Sequence, residues 1–320
     1  MTPRAVRVAL AFAVLGVVAS SPHLGAQTPD DLAGACILAG GGLARCSSAA
    51  AGSRALQGQL GLLAGLGSEV SGTATTLATR IGGGPRFTFA ARSGVARASL
   101  PNPADASALG ETSFFVPTLH VDGAMGLFDG FRIMPTVGGF LSVDVFGRAA
   151  FLLLPKSEGF DGGSTAFTGG VRVGIFREGF TIPGVSVSLS RRFVGSAAFG
   201  AAGTDPVAFD VDPSVTSARA TIGKDLLAVE WMAGVGWDDY SGRATVQVSN
   251  GAGGTVSASE DLESSRWMYF GSASMTFGIV LNVAVEAGWA QGFAPVSSYA
   301  GSFDPEAGAP FGSLSFRLIL

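Results

Sequence analysis

His120 and Asp122 stand two residues apart in His120-Val121-Asp122, a spacing that puts imidazole and carboxylate on one face of an extended chain. Such a pair has the composition of a general base and its orienting acid. His120 is the only histidine after residue 26, and no serine beside it is an obvious nucleophile, so a hydrogen-bonded, non-catalytic imidazole is the plainer expectation. A larger ionisable group shares the polar face of alternating segments: Arg86, Arg148, Arg172, Arg192, Arg219, Arg266 and Arg317 with Asp122, Asp144, Glu230 and Glu286. Gathered in this way, guanidinium and carboxylate groups either pair and fill a space, or line a wet path and set its charge preference. Gly40-Gly41-Gly42 and Gly82-Gly83-Gly84 lack the Lys-Ser/Thr or Gly-x-Gly-x-x-Gly context of a phosphate loop, and the acidic residues lack the spacing of a calcium loop. No cofactor or metal is expected.

The elements that carry these residues follow a period of two. From about residue 85 onward, alternating segments of about ten residues succeed one another, separated by turn residues. They cover 113–127, 137–151, 165–177, 184–195, 214–223, 226–240, 264–277 and 279–291, and the chain stops on an amphipathic strand. In 113–127, Phe115, Leu119, Val121, Met125 and Leu127 oppose Thr118, His120 and Asp122. In the last strand, Leu314, Phe316, Leu318 and Leu320 oppose Ser313, Ser315 and Arg317. Nearly every charge in these segments falls on the polar face.

Connections alternate as well. Phe128-Asp129-Gly130, 178–183, Lys224-Asp225 and Phe277-Gly278 are short, whereas 99–112, 152–164, 196–213, 241–263 and 292–310 are long. Within 241–263, two alternating runs flank Asn250-Gly251, a hairpin dipeptide, so two strands are expected to extend beyond their neighbours. Trp237, Tyr240, Trp267, Tyr269 and Trp289 collect toward the long-loop end, and Phe128, Phe131, Phe176, Phe180 and Phe277 toward the other. Two such belts are what both interfaces of a membrane barrel carry. Counting from residue 85 gives ten strands. Adding 54–66 and 73–81 makes twelve, the preferred count; the alternative makes 47–66 a helix that caps or plugs the short-turn end.

The first 26 residues have Arg4 and Arg7, an apolar run, then Leu24-Gly25-Ala26, the layout of a cleaved secretory signal. Their removal takes two of 20 basic residues and none of 24 acidic ones, leaving 18 against 24, a formal charge of −6. That leaves no basic footprint for nucleic acid. Cys36 and Cys46 fall in 27–53, in a compartment where disulfides persist, and are expected to pair. Asp30 and Asp31 stand where a lipoprotein signal has its apolar run, and no Cys-x-x-Cys-His is present.

On the exported N-terminus, the alternating strands, the loop asymmetry and the terminal strand, the chain resembles the bacterial outer-membrane β-barrels over 54–320. It departs from them in ending on Leu320, with its aromatic at Phe316. The resemblance implies an all-β, up-and-down antiparallel transmembrane barrel of about twelve strands, or ten. It also implies a Gram-negative outer-membrane location, lipid as the main partner and a barrel-assembly machinery as the partner in biogenesis. The N-terminal 27–53 is then a periplasmic segment. An arginine facing lipid at mid-membrane costs ~2–4 kcal/mol, so the polar face is assigned to the lumen. Arg148, Arg172, Asp144 and Glu230 head the expected lumen-lining set, with Arg192, Arg219, Arg266, Glu286, Arg317, His120 and Asp122. The expected function is a narrow channel or transporter for small solutes or a hydrophobic compound. A filled barrel acting through its surface is the alternative, and a hydrolase using His120 and Asp122 the weakest reading.

Overall fold

The computed structural model describes residues 28–77, 84–132, 138–226, 228–251, 253–278 and 280–320. The expected signal segment lies outside them. Two helices come first, α1 (Pro29–Leu38) and α2 (Leu43–Gly65). Strands β1 (Phe87–Pro101), β2 (Glu111–Phe128), β3 (Ser142–Leu152), β4 (Ser164–Phe176) and β5 (Gly184–Val194) follow. After the three-residue β6 (Ala197–Phe199) come β7 (Val207–Leu226), β8 (Val229–Ser249), β9 (Thr255–Phe277), β10 (Leu281–Ala290) and β11 (Ala309–Ile319).

Every neighbouring pair is antiparallel and sequential, except that β5 pairs with β7 while β6 lies against the far part of β7. The ring closes where β1 meets β11, from Thr88 opposite Ile319 to Ala96 opposite Phe311. Ten strands therefore form a closed cylinder with no free edge along its closed girth, which removes the hazard an amphipathic terminal strand would otherwise carry.

Side-chain alternation sorts the cylinder inside out relative to a water-soluble protein. Phe115 is 66% exposed and Val121 58%, and Phe89, Phe151, Phe167, Phe193, Trp231 and Phe316 also face outward. Arg92, Arg148, Arg172, Arg192, Arg219, Arg266 and Arg317 are buried within. Trp267, Tyr269 and Trp289 stand on the outer wall, but Tyr240 does not join them. It shares the even, inward face of β8 with Asp238 and is fully buried.

The ring matches the smaller of the two strand counts. Residues 54–65 belong to α2, 73–77 are irregular chain in the lumen, and 78–81 lie outside the described residues. The wall thus begins at Phe87 and not at residue 54. Leu56, Leu60 and Leu62 alternate with Gln57 and Gln59 and so imitate a strand. A helix wrapped by protein all round needs no apolar stripe, which is why α2 shows no helical period either. Its Ala, Ser, Gly and Leu content makes a slim helix that fits a narrow bore. Where the wall crowds it most, even a methyl is excluded: a Cβ at Gly61 would fall on the Tyr240 ring, and one at Gly65 on the Arg192 guanidinium.

One end of the cylinder carries the connections 102–110, 153–163, 195–206, 250–254 and 291–308; the other carries 129–141, 177–183, 227–228, 278–280 and the C-terminus. The 128–130 connection is longer than its turn residues suggested. Gly139 and Leu141 take positive φ, a Phe131–Phe140 bridge closes the loop, and β3 starts only at Ser142. The Asn250-Gly251 hairpin forms as expected, with the Asn250 side chain accepting from the Gly254 amide at 3.0 Å. It joins β8 and β9, the two longest strands, which carry the wall furthest at the loop end.

Candidate functional site

The lumen is occupied by the chain's own N-terminal segment. α1 is started by a reciprocal cap: the Thr28 hydroxyl accepts from the Asp31 amide at 3.4 Å, and the Asp31 carboxylate accepts from the Thr28 amide at 2.6 Å. The Thr28 amide, and its hydroxyl at 2.8 Å, donate to the Asp31 carboxylate and hold that carboxyl below its ordinary range. α1 packs on α2 and on β9, and the Cys36–Cys46 disulfide ties the two helices at their junction. Arg45 donates to the Ser249 carbonyl at 2.7 Å, and Asp30 accepts from the Ser297 amide and hydroxyl at 2.9 and 2.7 Å. All these contacts lie at the loop end. The segment 27–53, expected at the short-turn end, therefore sits at the opposite one over its described part. No composition signal distinguishes the two mouths.

From there α2 descends through two storeys. In the upper one its Ala49, Ala50 and Leu56 belong to one buried apolar cluster with Phe199, Phe209, Val246, Val248 and Leu262 of the protruding wall. The lower storey starts at Gln57, whose amide donates to the Leu262 carbonyl at 3.1 Å and accepts from Ser264 at 3.3 Å. Below it the wall turns ionic, and the helix ends at Leu66, held at φ 51°.

The ionic storey reads the segment's backbone. Arg266 donates to the Gly58 carbonyl at 2.6 Å, Arg192 to Gly61 at 2.8 Å and Arg219 to Gly67 at 3.3 Å. Arg148 donates to the carbonyls of Gly65, Ser68 and Glu69, the last two at 3.1 Å. Arg92 reaches Ser68 at 3.0 Å and the Ser71 hydroxyl. Arg172 reaches Thr73 at 3.2 Å and Thr75 at 3.0 Å. Carboxylates take the amides: Glu286 accepts from Ser68 at 3.1 Å, and Asp144 accepts from Leu77 at 2.9 and 3.1 Å. From Gly65 onward these carbonyls and amides lie at and beyond the helix end, where they have no helical partners and the wall supplies them. The Gly58 and Gly61 carbonyls lie within the helix and accept from Arg266 and Arg192 in addition to their helical bonds.

The same charges neutralise one another. Asp122 pairs with Arg148 at 2.5 Å and Arg92 at 3.5 Å, Asp144 with Arg172 at 2.7 Å, and Asp238 with Arg219 at 2.7 Å and Arg192 at 3.3 Å. Glu286 faces Arg92 at 3.7 Å, and Glu69, from the plug itself, lies 3.9 Å from Arg148. Tyr240 bridges Asp238 and Arg266 through its hydroxyl, at 3.1 and 2.8 Å.

The expected set thus divides. Arg148, Arg172, Asp144, Arg192, Arg219, Arg266, Glu286 and Asp122 converge on the segment 58–77. Glu230 is only partly buried, at the turn end, where it lies beside Thr73 and faces Arg317, which is buried with Nε and Nη1 making no hydrogen bond. Arg86 is exposed and donates weakly to the Leu77 carbonyl at 3.4 Å. His120 and Asp122 share a face but not a bond. Asp122 serves the two arginines, and the imidazole Nε2 meets Thr118 at 2.8 Å. Among the described residues no cluster of potential metal ligands forms.

Arg92 and Asp238 were missed by sequence reading, although the period-two parity of β1 and β8 assigns both inward. Glu69 carries no such signal, because it lies in irregular chain.

A closed antiparallel cylinder with an apolar outer wall and an ionic interior is the architecture of the outer-membrane β-barrels. No family model matches this chain, and no curated protein does. Solved structures similar to it include the transport unit of the autotransporter AIDA-I from Escherichia coli, with TM-score 0.39 and 8% identity over 83% of this chain and 98% of that one. The outer-membrane protease OmpT from Escherichia coli gives TM-score 0.34 and 9% identity, over 73% and 94%. The toluene transporter TodX from Pseudomonas putida gives TM-score 0.30 and 9% identity, over 78% and 95%. The likeness is one of barrel fold and extends no further.

Proposed function

We propose that the chain is an outer-membrane barrel, exported through a cleaved signal, that is closed at rest by its own N-terminal segment and acts as an anchored, non-conducting body at the cell surface. One observation carries this: six buried wall arginines donate to backbone oxygens between Gly58 and Thr75. Charges that line a water-filled path stay hydrated and face the path. Here they are spent on holding the object that fills it. The filled-barrel alternative is favoured over the narrow channel, since solute could pass only if the segment moved.

Membrane residence is supported by the outer wall. A row of outward Phe, Leu, Val and Trp around the whole girth would be unstable in water, and lipid covers it at no cost in polar desolvation.

Planar-bilayer recording tests the proposal. Full-length protein is expected to insert without sustained conductance, and a variant lacking residues 43–77 to give steady ion-conducting steps. Steady steps from the full-length protein would sink it. Should the deletion fail to insert, Arg148→Met in the full chain serves instead, with intermittent steps expected.

A further inference from the structure

The covalent path of the chain has a direction through the cylinder. Residues 28–46 sit at the loop end, against the β8–β9 hairpin and the 291–308 connection. Ser47 meets Ser298 there at 2.7 Å, and Arg54 donates to the Ala294 carbonyl at 3.0 Å. α2 then touches β1, β2, β3, β4, β5, β7, β8 and β9 as it descends. The segment after it bonds progressively lower wall residues. Gly72 accepts from Ser274 at 2.9 Å, Thr76 meets Ser142 at 2.5 Å, and Leu77 reaches Asp144. β1 then rises from the turn end, beside the C-terminal strand.

The ring is hydrogen-bonded through all ten junctions, and the chain upstream of β1, bonded to the inward-facing Arg266, Arg192 and Arg172, joins the two ends through the interior. In barrels of this architecture long connections face the outside and short ones the periplasm. We propose that this protein carries its own N-terminal cap, residues 28–46, through its lumen to the outer surface, where the cap, the β8–β9 hairpin and the 291–308 connection form one composite exposed face. The chain then crosses the membrane eleven times, ten as strands and once as the plug.

The cap is built to stay there. An α-helix with side chains is about 10–12 Å across, and the bore already holds one. The cap presents two helices side by side, joined by Cys36–Cys46, so it is wider than the passage behind it. Its outer side is accessible, with Leu38 91% exposed.

The chain supplies the controls for a test, since its only lysines lie at opposite ends: Lys156 in the β3–β4 connection and Lys224 near the β7–β8 turn. Full-length protein carrying Leu38→Lys is expressed in Gram-negative cells, labelled with a membrane-impermeant amine reagent and read peptide by peptide by mass spectrometry. The amine at position 38 is expected to label with Lys156 in intact cells, with Lys224 labelling only after permeabilisation. Labelling of position 38 together with Lys224, and not with Lys156, overturns passage through the lumen. Labelling of Lys224 and not Lys156 in intact cells overturns the outward placement.

If Leu38→Lys does not accumulate, an epitope inserted between residues 27 and 28 is read by antibody on intact cells. Binding there supports the proposal, and binding only after permeabilisation defeats it. The proposal rests on the outer-membrane barrel reading, but the two can fail separately. A conducting barrel with an exposed cap removes closure alone, and a silent barrel with a hidden cap removes delivery alone.

Discussion

Arg148→Met tests the ionic storey at its most connected point. The substitution keeps an unbranched stem that fills the place of the arginine's methylenes but removes the guanidinium, and with it the bonds to three segment carbonyls and the 2.5 Å pair with Asp122. Hydrogen bonds to a charged partner are worth ~1.5–3 kcal/mol each, so three would sum to roughly 5–9 kcal/mol if they were independent. They are not, because one guanidinium makes them all and Asp122 keeps Arg92 at 3.5 Å. Breaking a buried pair by removing one partner costs about 3–5 kcal/mol, and that range is the better expectation. At 1.4 kcal/mol per decade, the undocked segment becomes on the order of a hundred- to a few-thousandfold more populated. Hydrogen exchange of the 65–77 amides in vesicle-embedded protein reads this directly, as faster exchange confined to that stretch. Arg191→Met is the control: Arg191 is the neighbour of Arg192 on β5 but is exposed on the outer wall, where it donates to the Thr216 and Ser214 hydroxyls, and its loss should leave those amides alone. Unchanged exchange in Arg148→Met, or equal acceleration by both variants, refutes the assignment of the arginines as clamps on the segment.

Gly61→Leu drives a side chain into Tyr240 and Val215, and should either block docking of α2 or cost about 1–3 kcal/mol of urea stability, measured on protein refolded into lipid vesicles. Cys46→Ser opens the cap. The loss expected for so small a loop is about 2–4 kcal/mol, seen as selective protease sensitivity of 28–46 with the barrel intact. Asp105, in the connection between β1 and β2, accepts from Ser107 and from the Gly110 amide at 2.6 Å, and these bonds hold its carboxyl below the ordinary range. The charged form is the one that stabilises the loop, so nothing changes between neutrality and pH 5. Order in 102–110 is lost only as the pH falls below about 4, and exchange at the Gly110 amide reports it.

Much of the wall was legible because its rule is simple. Lipid outside and polar lumen inside impose a strict period of two, so Phe115, Val121, Arg148 and Arg172 declare their sides. The plug obeys no such rule. Leu56, Leu60 and Leu62 face protein in every direction, so they carry neither the helical nor the strand period, and a chance alternation with Gln57 and Gln59 favoured the wrong element. The acceptors of the arginines were hidden for a different reason: they are backbone carbonyls, which every residue has. Tyr240 misled because an aromatic near an interface reads as a belt residue, until Asp238 and Arg266 on its own face are counted with it.

α2 packs on or bonds to β1 to β5 and β7 to β9, whereas each stave touches only the two beside it along its length. The cylinder is therefore laced from within as well as sewn along its seams. A single cut in an outer connection would leave both fragments gripping a common spindle, so the nicked molecule should behave in lipid as one particle until its polypeptide pieces are separated by denaturant.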